Sequence, residues 1–447
     1  MGKKNKDENS PVTRKGKRDT ASTFLGTRFD TLDDGTVKRH ICQLIAVSIA
    51  AKILIFLATV MVFNSFMDYF DIGVYLTSVT PILTGQLPYI HYSFEYPVLT
   101  FIPIILAFLP AMLTRNIAIF VLSFQFLMAV CDILIVLSVY LIGLKIYNEK
   151  AAFFAGLIYA TAFSTAYFVL TKSDAFPSAI LMLGLLFTVY GMNTRGYAGA
   201  AAGFFAKMYP AAALPFIVLF NAKKTSLKEE VLSAGKIFIA FFLVLLLPLA
   251  IINPATIRTY LFATGGTVGV YVNTATYTIY AYLSQVLSLG ISADIVSGAM
   301  YVMMGFLLLL LVYIAYTDRE IREKTLLKFV LCAIFCLVFF TKFHSPQYIV
   351  WYTPLLALLV ADDLMKVGLF YLSQVLAYIE FPLMFGFWYQ NLAYSNPQGT
   401  MGWYLTLVFF TVEYIVLIAL MYYAIRPREG FVVRLKGLLP AGDGKNG

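Results

Sequence analysis

Along most of this chain, long apolar runs alternate with short polar breaks. The runs lie near residues 41–63, 97–113, 117–144, 151–170, 175–192, 197–220, 233–252, 297–317, 326–342, 346–361, 367–389 and 402–425. A helix needs about 20 residues to cross the hydrocarbon of a bilayer. Backbone groups in lipid must be satisfied within their own segment, which makes helix the default. None of the runs alternates with the two-residue period of a membrane β-strand. The pattern predicts an all-α fold, a polytopic transmembrane bundle of about 10–12 spans.

The loops predict an orientation. Residues 64–96 carry Asp68, Asp71 and Glu95 and no Lys or Arg, and residues 253–296 carry one Arg and no Lys. Loops poor in basic residues face outward. The basic loops 221–236 and 318–328, and the tail 426–447, are expected in the cytoplasm. Residues 1–40 mix Lys and Arg with Asp and Ser and read as a disordered basic cytoplasmic tail. Both termini then lie inside, and residues 41–425 form one membrane domain. The polar start is too long for a cleavable signal peptide, and no internal repeat of the transporter kind is visible. Residues 97–220 allow two topologies. If all five runs cross, Asp174 is cytoplasmic; if the runs at 97–113 and 197–220 dip in and return, Asp174 joins the first outer loop.

Composition sharpens the class. Hydrophobic residues make up 60% of 447 and charged residues 13%, well under the roughly one quarter of a soluble domain. The net charge of +9 would suggest nucleic acid in a soluble protein. Here the basic residues sit at membrane ends, where they set orientation, and no nucleic-acid partner is expected. Cys42, Cys131, Cys332 and Cys336 lie inside apolar runs without CxxC spacing. They read as packing residues, neither disulfides nor zinc ligands.

Few polar residues remain to carry chemistry. The first outer loop is rich in aromatics, with Tyr75, Tyr89 and Tyr96 near Asp71 and Glu95. Asp71 and Tyr75 share a face if the stretch is helical. An interfacial helix with an aromatic belt is the plain alternative, but a carboxylate beside sugar-stacking rings suits a base at the membrane surface. Lys207, in Phe205-Ala-Lys-Met-Tyr209-Pro210, is deep within its run, where a Lys costs about 2.5–3.5 kcal/mol. A phosphate is its natural partner, and Pro210 breaks the helix beside it. Lys342 and His344, followed by Gln347 and Tyr348, suit an anion-binding edge; a polar loop without function is the alternative. Asp132 sits mid-span, and a buried carboxylate there is either functional or holds Lys207 or a hydroxyl. Asp174 closes Lys172-Ser173-Asp174. Glu380 and Glu413 are isolated and read as structural.

Taken in order, these segments resemble the GT-C class of multi-span glycosyltransferases that use dolichyl- or polyprenyl-phosphate sugars. The similar branch contains glycosylphosphatidylinositol mannosyltransferase I and the polyprenol-phosphate-mannose-dependent mannosyltransferases of prokaryotes. The elements are Asp71 running into Gly85, Pro88-Tyr89 and Glu95-Tyr96-Pro97, then Asp132, Ser173-Asp174, Lys207-Met-Tyr209-Pro210, and Ser345-Pro-Gln347-Tyr348 through Tyr352.

The resemblance implies an inverting sugar transfer on the outer or lumenal face, most simply of mannose, from a polyprenyl-phosphate donor to a glycolipid or glycan acceptor. Asp71 would be the base. Lys207, His344 and Lys342 would face the donor phosphate, and Tyr75, Tyr89, Glu95, Tyr96, Asp174, Gln347 and Tyr348 the substrates. Asp68, Asp132 and Tyr209 would support them. Eukaryotic members carry two Asp in the first loop, one residue apart; in that register Tyr69 replaces the first and Asp68 is out of step. The loss of one carboxylate disfavours a divalent cation, so no metal ligands are assigned. Besides the donor, acceptor and membrane lipids, the resemblance allows a small membrane subunit as partner. Ser345-Pro346 leans toward a prokaryotic plasma membrane over endoplasmic reticulum. The same fold could use glucose, galactose or arabinose carriers. A flippase without chemistry is the other reading, with Asp132 and Lys207 as its coupling pair.

Overall fold

A computed structural model of the chain describes residues 22–24, 27–29, 34–59, 68–257, 269–389 and 398–426. Two three-residue strands, β1 (Ser22–Phe24) and β2 (Thr27–Phe29), pair antiparallel ahead of α1 (Asp34–Leu57). The expected tail at 1–40 therefore ends earlier than its composition suggests. Helix begins at Asp34 because His40 has a place to pack, stacked on Phe153 and with Nδ1 3.1 Å from the Tyr140 hydroxyl. Residues 1–21 and most of the tail 426–447 lie outside the described residues.

The helices that follow are α2 (Phe70–Val79), α3 (Phe101–Thr114), α4 (Ile117–Ile146), α5 (Glu149–Ala160), α6 (Phe163–Thr171), α7 (Ala175–Val189), α8 (Asn193–Ala206) and α9 (Leu214–Ala222). After these come α10 (Leu227–Leu245), α11 (Leu247–Ile252), α12 (Ala275–Tyr280), α13 (Ala293–Thr317), α14 (Glu323–Phe339), α15 (Ile349–Val360), α16 (Leu364–Tyr378) and α17 (Met401–Ile425). Short polar side chains start many of them. Asn116, Asn148, Ser226, Ser292, Asp363 and Thr400 each accept a backbone N–H of the first turn.

Among the described residues, five helices are long and apolar enough to cross a membrane: Gly35–Leu57, α4, α13, Leu364–Met384 and α17. α5 and α6, bent by 55° at their junction, make a sixth if taken together. The chain is thus a helical, multi-pass membrane protein. Shorter apolar helices fill the spaces between. The two runs that allow either a crossing or a return are not continuous spans. The run at 97–113 yields α3, only 14 residues, which doubles back along the first half of α4, with Phe108 6.5 Å from Phe120. The run at 197–220 breaks at Lys207, so α8 arrives at that point and α9 leaves it.

Contacts define two ends of the bundle. At one, Tyr190 at the end of α7 donates to the Leu141 carbonyl near the end of α4 (2.9 Å), and Lys324 pairs with Asp362 at 3.1 Å. At the other lie the ends of α6, α8 and α14 and the starts of α7 and α15. Lys172 at that end meets Asp68 and Asp71 directly. Of the two topologies, Asp174 therefore follows the one that sets it beside Asp71.

Small residues make the α7–α8 crossing that aims Lys207. A Cβ on Gly199 would fall 2.5 Å from Gly184 Cα, and one on Gly203 2.5 Å from Pro210 Cβ. Only glycine lets these backbones approach so closely. Gly199→Leu is expected to lower stability by about 1–3 kcal/mol through overpacking. A thermal melt in detergent reads this; an unchanged midpoint would mean that the helices part without cost.

Candidate functional site

Three short segments converge at the second end: the start of α2, the turn between α6 and α7, and residues 343–347. They wall a cavity of about 340 Å³ whose polar lining is Asp68, Asp71, Lys172, Asn273, His344, Ser345 and Gln347. Phe70, Phe168, Tyr271, Phe343, Pro346 and Phe381 complete it. Asp71 lies in the first turn of α2, where the helix dipole favours a carboxylate. Lys172 Nζ reaches both acids, 2.6 Å from Asp68 Oδ2 and 3.1 Å from Asp71 Oδ2. Asp68 Oδ1 is held as well, accepting the Phe70 N–H at 2.9 Å. Both Asp68 oxygens are thus engaged, while Asp71 keeps one for the cavity. Burial raises the proton affinity of Asp71 above that of an ordinary carboxylate; Lys172 opposes the rise and Asp68 adds to it.

A second charge pair lies behind the first. Lys207 Nζ is 2.6 Å from Asp174 Oδ1, which also accepts the Trp351 indole N–H at 2.5 Å. Asp174 is fully buried, and its Oδ2 has no protein partner. Trp351 is sandwiched between Tyr209 and Tyr348, with ring centroids 4.1 and 3.8 Å away. Lys207 lies 5.3 Å from the Trp351 ring and 5.8 Å from that of Tyr348, close enough for cation–π attraction. Its charge also reaches Asp71. The Tyr75 hydroxyl donates to Ser173 Oγ at 3.0 Å and tethers α2 to the Lys172-Ser173-Asp174 turn.

Several expected roles change. His344 was expected as a cation. Burial pushes its imidazole down to about 4, so at neutral pH it is uncharged, and its Nδ1 has no protein partner. Its ring N–H is spent on the Val338 backbone, which leaves the unpartnered Nδ1 as an acceptor and no donor for an anion. Asp132 does not hold Lys207. It pairs with Lys52 and accepts from Ser48 (2.9 Å) and Tyr159 (2.8 Å) in a separate buried network. Glu95 is exposed and outside the cavity lining. Lys342 is also outside that lining; its carbonyl accepts the Tyr271 N–H at 2.9 Å. Tyr89 braces the loop instead of facing the cavity: its hydroxyl donates to the Tyr96 carbonyl, and its own carbonyl accepts from Asn253 and Thr256. Tyr96 packs edge-on to Tyr75 at 5.3 Å. Gln347 lines the cavity and accepts from Ser345 at 2.6 Å.

Sequence reasoning missed Lys172, Asn273 and Trp351. Lys172 had a readable signal: two residues before Asp174, it forms a charged couple at the end of an apolar run. Asn273 had none, being an ordinary loop residue until Glu380 and the His344 carbonyl fix it at 2.8 and 3.1 Å. In comparisons with known proteins, no family model matches the chain and no curated protein is similar to it in sequence.

Proposed function

We propose that this chain is an inverting glycosyltransferase of the GT-C type. It moves a sugar, in the first instance mannose, from polyprenyl phosphate to a hydroxyl of a glycolipid or glycan acceptor. The observation that carries this reading is the Asp71 carboxylate. It is partly buried, has one oxygen free, and stands on the wall of a cavity that Lys172 and Gln347 also line.

In the proposed reaction the acceptor O–H gives its proton to Asp71 as the oxygen attacks the anomeric carbon. The new C–O bond forms on the face opposite the departing phosphate. The old anomeric C–O bond breaks, and its electron pair leaves with the polyprenyl phosphate. That group departs as a stable anion, so no acid is required. Fixed charges and dipoles aimed at the growing negative charge contribute the largest favourable effect; Lys172 on the cavity wall, with Lys207 behind it, would supply them. Cytoplasmic termini and an outward-facing cavity belong to the same reading.

The flippase alternative relied on Asp132 and Lys207 as a coupled pair. Each has a different partner in the fold, Lys52 and Asp174, which takes away its motive. The test is transfer of labelled sugar from polyprenyl-phosphate mannose by the chain in liposomes, with source lipid extract as acceptor. Failure with mannose, glucose, galactose and arabinose carriers alike would overturn the reading.

The pH profile gives a second check. A base must be unprotonated to act, and burial raises Asp71. The acid limb of kcat/KM is expected above the ordinary Asp value of about 3.9. An acid limb at or below that value would remove Asp71 from the role.

A further inference from the structure

We infer that the Lys172 ammonium occupies the place between Asp68 and Asp71 that a divalent cation would need, so the proposed transfer runs on a cation built into the chain. This deepens the transferase reading and rests on it for its meaning, but metal binding decides it.

Two carboxylates converging at a cavity wall are the usual start of a divalent-ion site, since such ions take six or more oxygen ligands at close range. Here the converging oxygens, Asp68 Oδ2 and Asp71 Oδ2, meet a single ammonium at 2.6 and 3.1 Å. A metal ion sharing those oxygens would face a unit positive charge at contact distance. Lys172 is held closely against both acids. Its side chain is 6% exposed, its backbone N–H closes α6 on the Phe168 carbonyl, and Nζ lies 5.8 Å from the Phe381 ring. Driving it off its partners would strand a buried charge. Asp68 is fixed in turn, its backbone N–H donating to the Tyr167 hydroxyl at 3.1 Å.

The ammonium does part of what a metal would do. It favours the ionised form of Asp71 and anchors one carboxylate oxygen, leaving the other to take a proton. An ammonium has three N–H donors; two go to Asp68 and Asp71, and the third is left for an oxygen in the cavity. Toward Asp71, Lys172 is a positioning residue, and its third N–H is the one available to the departing phosphate.

The experiment titrates Mn2+ into the purified full-length chain and follows the free ion by electron paramagnetic resonance. Wild type and Lys172→Arg are expected to show no saturable binding. Lys172→Met is expected to gain one equivalent per chain, lost again when Asp71→Asn is added. Chelator should leave wild-type transfer unchanged. Saturable wild-type binding that Asp68→Asn abolishes would overturn the inference. So would a Lys172→Met protein with a native-like melt that binds no Mn2+. If Lys172→Met does not fold, the wild-type titration and its Asp68→Asn control decide alone. A blank transfer assay with these metal results would sink the transferase reading and leave the resident cation standing.

Discussion

Asp71→Asn is expected to lower sugar transfer by about 10²–10⁴-fold, the usual contribution of a general base. Asn keeps the shape of the side chain but accepts protons poorly, so donor binding should be largely unchanged and the loss should fall on kcat. Asp68→Asn should cost less. Both Asp68 oxygens are already committed, to Lys172 and to the Phe70 N–H, and a group so held is poorly placed to receive a proton. A greater loss from Asp68→Asn than from Asp71→Asn would reverse the two roles. Steady-state assays of the two variants side by side decide it.

The second large effect is on stability. Asp174→Ala removes the only carboxylate paired with Lys207 among the described residues and leaves the Trp351 N–H without its acceptor. Breaking a buried pair by deleting one partner costs about 3–5 kcal/mol. The Lys207 side chain is 17% exposed and that of Asp174 fully buried, so water relieves little of it. Adding Lys207→Met to Asp174→Ala should recover part of the loss, because the stranded charge is then gone. Unfolding in mixed micelles measures both. Equal stability of wild type and Asp174→Ala would show that the pair holds nothing together.

Much of the fold was legible because lipid imposes simple rules. Long apolar runs become helices, and the lysine-free first loop stands out. What stayed open is which runs turn back. The run at 197–220 has enough apolar length to cross, yet Pro210 and the close approach of Gly203 turn it back at Lys207. The helix at 101–114 stops at Arg115, which takes a left-handed conformation with φ 52°, at the polar break that ends its apolar run.

At the site, Asp71, Lys207, Asp174 and Gln347 could be picked out as polar residues where such groups are costly. Their pairings could not, because pairing depends on which ends meet. Lys207 went to Asp174 and Asp132 to Lys52, and hydropathy carries no record of such choices. The neutral state of His344 was equally hidden, since it follows from burial created by distant chain segments.

The bend between α5 and α6 has a consequence for how the protein is made. At the start of α6 the Thr165 N–H is taken up by Gln374 Oε1 at 3.2 Å, and the Thr161 hydroxyl lies 2.6 Å from that of Tyr371. The direction in which α6 carries Lys172 is thus braced by α16, a helix translated much later. Asp68 and Asp71 reach the membrane early, but their lysine is not properly aimed until the ribosome has delivered Gln374. A nascent chain stalled before that helix would hold both acids and the lysine with no finished pocket around them. A finished pocket should therefore arise late in biosynthesis, only after α16 has been made.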